Sequence, residues 1–82
     1  MQHDKTATLR NMIIRDYSRY RDVLLKNDNA LFERFNELER ERNNDIFNYF
    51  DLLQLLDDLD KFSIKISGNS YKSKIIDYIE KL

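Results

Sequence analysis

The sequence predicts a mainly α-helical single domain, a small bundle of three or four helices. Three observations carry that expectation. Proline is absent and glycine occurs once, at Gly68, whereas an all-β fold needs turn residues at regular short intervals. Apolar residues recur at three- and four-residue spacing through most of the chain, the signature of helices with one buried stripe. With 82 residues, the chain supports one domain, near the lower size limit for a lone hydrophobic core. The organisation expected is one helical domain over residues 1–82, with 1–6 disordered.

The first helix is expected from about Thr8 to Asn27. Leu9, Met12, Ile13, Tyr17, Tyr20, Val23 and Leu24 form its stripe, and Thr6 or Thr8 suits its start because a hydroxyl satisfies a free backbone N–H. Between Lys5 and Lys26 stand six basic and two acidic residues, a local charge of +4. Asn27-Asp28-Asn29 reads as a turn and a cap. A second helix follows, with Leu31, Phe32, Phe35 and Leu38 facing the core.

From Glu39 to Asp45 no residue is apolar. Either the helix crosses this stretch, giving one element of about 30 residues and roughly 45 Å, or Asn43-Asn44 breaks it and Asp45 caps a new helix. The break is preferred, because the first helix would cover only part of so long an element. In the next segment eight of the eleven residues from Ile46 to Leu56 are apolar. At about 100° per residue Ile46, Tyr49, Phe50, Leu52, Leu53 and Leu56 make a broad face, with Phe47 and Leu55 outside it. A helix apolar on most sides is covered on most sides, so part of this one is expected to face another chain.

Asp57, Asp58 and Asp60 are expected to end that helix, solvated, at the unfavourable pole of its dipole, paired with the basic first helix. Phe62 to Ser67 alternates apolar and polar residues, which is strand periodicity. It is expected to be extended, as a lone segment or a short edge strand that pairs with a second copy. Gly68-Asn69 suits a tight turn. Beyond it, Ser70 to Ile75 reads as the second strand of a hairpin, or Ser70 caps a helix over Tyr71–Leu82 with Ile75, Ile76, Ile79 and Leu82 on one face; the spacing favours the helix.

Chemistry has few footholds. Cysteine is absent and histidine occurs once, at His3, so no thiolate, disulfide or Ser–His–Asp arrangement can be assembled. Asp58-Leu59-Asp60 has the opening spacing of a calcium loop, but Phe62 stands where the third oxygen ligand belongs and no glycine follows at the sixth position. The sequence therefore predicts no enzyme, no cofactor and no metal. The polar N-terminus and the lack of a roughly 20-residue apolar run predict a cytosolic protein without signal peptide or membrane insertion.

Nucleic-acid binding is expected to be unfavourable. In a winged helix–turn–helix reading, residues 45–60 would enter the groove, and they carry five Asp and no Lys or Arg, against a phosphate backbone that supplies most binding energy. Protein binding fits better. Ile14 and Leu25 lie off the first stripe with Arg21 between them in angle; Phe47 and Leu55 lie off the third, near Asp51 and Asp58. These five, Ile14, Arg21, Leu25, Phe47 and Leu55, are the candidate partner-binding residues, on a homodimer or on a monomer with an exposed apolar groove.

From Met1-Gln2-His3-Asp4-Lys5-Thr6 through Ile13-Ile14-Arg15-Asp16-Tyr17 to the C-terminal tail, the chain resembles the rapid-lysis III proteins of T-even-type bacteriophages, the cytoplasmic antiholins. Its Asn-, Asp-, Lys- and Ile-rich composition suits an AT-rich phage genome. The resemblance spans the whole chain and rests on length, helical character and general similarity rather than a signature motif, so no site residue is transferred. It implies a lysis-inhibition factor in the host cytoplasm that binds the cytosolic N-terminal segment of the phage holin, is recruited to the inner membrane through it, and delays pore assembly. The alternative is a small phage regulator that binds a host protein or nucleic acid to redirect transcription or defence; a nucleic-acid form of it would lose affinity steeply with salt.

Overall fold

The computed structural model describes residues 2–44 and 46–82. These form a helical bundle: α1 (Gln2–Tyr17), a 3₁₀ turn (Ser18–Tyr20), α2 (Arg21–Asn27), α3 (Asn29–Arg40), α4 (Tyr49–Ser67) and α5 (Lys72–Glu80). α1 packs on α3, α4 and α5, while α2 packs on α3, and α4 touches both α3 and α5. At about 1.5 Å per residue, the 19 residues of α4 span roughly 28 Å, most of the molecule's 37 Å long axis. α1 and α4 form the central pair, and α3 and α5 each pack on both.

The first stripe is buried as its spacing demands: Leu9, Ile13, Tyr17 and Leu24 are inaccessible to solvent. The helix begins earlier than expected. Gln2 to Thr6 are already helical, so neither Thr6 nor Thr8 starts it. Met1 and the His3 side chain lie outside what is described. Over Ser18–Tyr20 the helix tightens to three residues per turn, which eclipses positions i and i+3. Tyr17 and Tyr20 consequently point the same way, into the core, with ring centroids 6.4 Å apart.

Asp28 caps α3, its carboxylate accepting the Leu31 amide at 3.1 Å, and Leu31, Phe35 and Leu38 are buried beneath. The chain then breaks, as preferred, after Arg40. Asn44 closes a turn with its amide on the Glu41 carbonyl and its side-chain nitrogen on the Glu41 carboxylate at 2.7 Å. The expected cap, Asp45, lies outside the described residues. α4 starts at Tyr49, and the side chain that caps it is Asn48, extended at φ −87° and ψ 173° and accepting the Asp51 amide at 2.8 Å.

Two expectations about the C-terminal third are corrected. Phe62–Ser67 is the last part of α4, neither strand nor lone extended segment. Six alternating residues are compatible with a helix when the preceding heptads already run in register: Leu52, Leu55, Leu56, Leu59, Phe62 and Ser63 continue one buried face. The helix ends at Gly68, whose φ of 76° is the left-handed conformation that glycine adopts without a side-chain penalty. Asp57, Asp58 and Asp60 are therefore mid-helix, away from the unfavourable pole, and the ion pairs shown among the described residues join Asp57 and Asp58 to other helices than the first. Asp57 bonds Lys61 one turn on, at 3.1 Å, and Lys72 of α5 at 2.9 Å. Asp58 bonds Arg34 of α3 at 2.6 Å. No helix among the described residues is long and apolar enough to cross a membrane.

Candidate functional site: a groove beside α4 and a buried carboxylate junction

Two places on α4 concentrate polar groups against the core, and they differ in kind. The first is buried. Asp60 is 5% exposed, contrary to the solvated carboxylate expected. Its Oδ1 accepts the Tyr17 hydroxyl at 2.6 Å, the Tyr71 amide at 2.8 Å and the Lys72 amide at 3.3 Å, and its Oδ2 accepts the Ser70 hydroxyl at 2.6 Å. One side chain of α4 thus anchors α1 and caps α5, where a negative charge also meets the favourable end of the helix dipole. Ser70 does not cap α5 itself; it turns its hydroxyl to Asp60. Burial pushes the Asp60 carboxyl up, but the bonds from Ser70, Tyr17, Tyr71 and Lys72 outweigh it and hold the carboxyl below its ordinary value. Burial and the same carboxylate push the Tyr17 hydroxyl well up, so it remains a donor.

Around this junction the Tyr71 ring meets Tyr17 edge-on at 5.5 Å, and Arg19 covers Tyr71 from outside at 5.3 Å. A turn away, the Tyr20 hydroxyl lies 2.7 Å from Ser67 Oγ. Ser63 Oγ lies 2.9 Å from the same hydroxyl and 2.6 Å from the Asn69 carbonyl, so its one proton is shared between two acceptors. These bonds satisfy each other inside the bundle. The junction is a structural clasp that welds α1, α4 and α5 together.

The second place is open. A groove of about 630 Å³ runs between α3 and the first half of α4. Arg34 and Glu37 come from α3, Asp51, Gln54, Leu55 and Asp58 from α4, and Ile46 and Phe47 from the connection before it. Leu55 closes the bottom, while Phe47 and the half-exposed Ile46 give an apolar wall. Phe50, 82% exposed, sits one turn before Gln54 on the same helical edge. The Arg34–Asp58 pair neutralises itself, and among the described residues no ion pair engages Glu37 or Asp51. The groove carries three carboxylates and one guanidinium, an acidic rim over an apolar floor.

Of the five candidate partner-binding residues, the structure brings two to this groove. Phe47 lines it, half-buried. Leu55 lines it too but is 2% exposed, so its side chain belongs to the core and its role as a surface contact is corrected. Ile14 is corrected likewise: at 9% exposed it belongs to the core, in a helix that packs on α3, α4 and α5 rather than on one neighbour. Arg21 is occupied within the chain. Its guanidinium bonds Glu39 and Asn36 (2.7 Å to the latter) and lies 5.1 Å over the Phe32 ring, stapling α2 to α3. Leu25 is 49% exposed on α2, which lends nothing to the groove. The sequence reading missed Glu37 and Gln54, which reach the groove only because the chain breaks after Arg40 and folds α4 back along α3.

Comparison of the chain with protein-family models, curated proteins and solved structures finds no match.

Proposed function

We propose that this chain is a non-catalytic, protein-binding regulator of phage lysis, a cytoplasmic antiholin that holds the cytosolic N-terminal segment of the holin and delays its assembly into pores. The resemblance along the chain supplies the role and the partner. The observation that carries a binding mode is the open groove beside α4, which offers the apolar wall of Phe47 and Ile46 to a partner helix, a recurring way for a small helical protein to take a peptide. Such a regulator requires no reacting groups. It requires tighter binding to holin in its non-lethal state than in its assembling state, because only differential affinity shifts an equilibrium. In this reading the protein works in the host cytoplasm and reaches the inner membrane only through its partner.

Deleting the gene in phage is the direct test. Under conditions that normally delay lysis, lysis is expected to come early, with phage growth before that moment unaffected. Unchanged lysis timing under those conditions would contradict the role.

A further inference from the structure

The groove also specifies what kind of segment fits it, and the inference rests on the protein-binding reading above. We infer that the α3–α4 groove takes a basic amphipathic helix, one that lays an apolar side chain against Phe47 and sets Lys or Arg opposite Glu37 and Asp51. Three features of the molecule select that occupant. The described residues contain no strand, so an extended partner has no sheet edge to extend. A channel bounded by two helices accepts a third with its apolar stripe down. The rim is acidic, and its two carboxylates without an ion pair among the described residues repel an acidic partner and attract a basic one.

A second copy of this chain is the rival occupant, and the test is built to detect it. The apolar stripe of its basic first helix, Leu9, Ile13 and Tyr17, is consumed in its own core, whereas Ile64 (49% exposed) and Ile66 (43%) stand beside Lys65 at the end of α4. Asp57 and Asp58 precede them on the same helix and would meet the acidic rim, so a partner helix without those carboxylates suits the groove better.

The test uses the full chain, isotopically labelled for NMR, and two designed helical probes. One carries a leucine stripe with lysines flanking it; the other has every lysine replaced by glutamate. The lysine peptide is expected to give saturable shifts at Phe47, Gln54 and Asp51, and the glutamate peptide none. Reversing the rim with Glu37→Lys and Asp51→Lys is expected to weaken the lysine peptide by about tenfold or more, since two exposed attractions become two repulsions. Glu80→Lys, at the end of α5, changes net charge equally per site and is expected to leave binding close to wild type. The neutral pair Glu37→Gln and Asp51→Asn, which leaves the Asn48 cap in place, keeps the test valid if the reversed variant fails to fold, and is expected to fall between.

Equal binding of both peptides, an equal loss in Glu80→Lys, no shift with either peptide, or shifts centred on Arg15, Lys74 and Tyr78 in the groove between α1 and α5 would overturn the inference. Concentration-dependent shifts at Phe47 without any peptide would overturn it in favour of a second copy. Its failure is separable from that of the lysis role. A lysine peptide seated in the groove beside unchanged lysis timing removes the role and keeps the groove; early lysis on deletion with no seating of the peptide does the reverse.

Discussion

Replacing Asp60 by alanine is expected to lower the unfolding free energy by about 3 kcal/mol, the cost of leaving the buried Tyr17 hydroxyl, the partly buried Ser70 hydroxyl and two partly buried amides without their acceptor. For a domain of this size that moves the melting temperature down by more than about 10 °C. Asp60→Asn keeps an oxygen toward Tyr17 and the two amides and can donate its nitrogen to Ser70, so it is expected to cost nearer 1 kcal/mol. Tyr17→Phe removes a single bond to the same carboxylate and is expected to cost about as much. The two substitutions touch one network, so their combination should cost less than the sum.

The same carboxylate gives stability a pH dependence. Its folded pKa is depressed, so its contribution is full above the unfolded carboxylate value of about 3.9 and is lost as pH falls through the lower folded value. Asp57, held down by Lys72 and Lys61, acts in the same direction from an exposed position. Urea unfolding at neutral pH and near pH 3 is expected to show the gap between wild type and Asp60→Asn narrowing in acid. A gap that stays constant would mean that the Asp60 charge is not what the clasp depends on.

A comparably large effect is expected at Leu55. It lines the groove, yet it is 2% exposed, and truncation to alanine is expected to destabilise by about 2–5 kcal/mol through lost burial and the cavity left behind. Leu25→Ala, at 49% exposed, is expected to stay within about 0.5 kcal/mol of wild type. Thermal unfolding of the two variants side by side separates a core leucine from a surface one, although both lie off the apolar stripe that helical periodicity assigns to their segments. A Leu55→Ala protein as stable as wild type would place that side chain on the surface after all.

The stripe of the first helix, the Asp28 cap and the break after Arg40 follow from spacing and from side chains that act within four residues. The turn at Gly68 and the helix beyond it follow in the same way, whereas Gly68 as the stop of a helix does not. The continuation of α4 through Phe62–Ser67 does not, because six alternating residues satisfy a period of two and a period of 3.6 almost equally well. What decides is the burial of Phe62 and Ser63 against elements distant in sequence. Asp60 is hidden for a related reason: its partners, Tyr17 and Ser70 to Lys72, stand 43 residues before it and 10 to 12 after it. A hint existed in its position four residues after Leu56, on the edge of the buried face.

The groove was half legible. Phe47 and Leu55 near Asp51 and Asp58 can be grouped from helical angles alone, and all four line it. Its other wall, Arg34 and Glu37, depends on how two helices pack, and no local pattern encodes that. Ile14 illustrates the converse. An apolar residue off one stripe reads as exposed until the helix that carries it is packed on three neighbours.

In the proposed role a helical regulator binds its partner through the α4 groove. The most direct measurement is an NMR titration of the labelled protein with a peptide of the holin's cytosolic N-terminal segment. Saturable shifts confined to the groove, at Phe47, Asp51 and Gln54, are the predicted result. No shift at millimolar peptide, or saturable shifts that leave the groove silent, would contradict it.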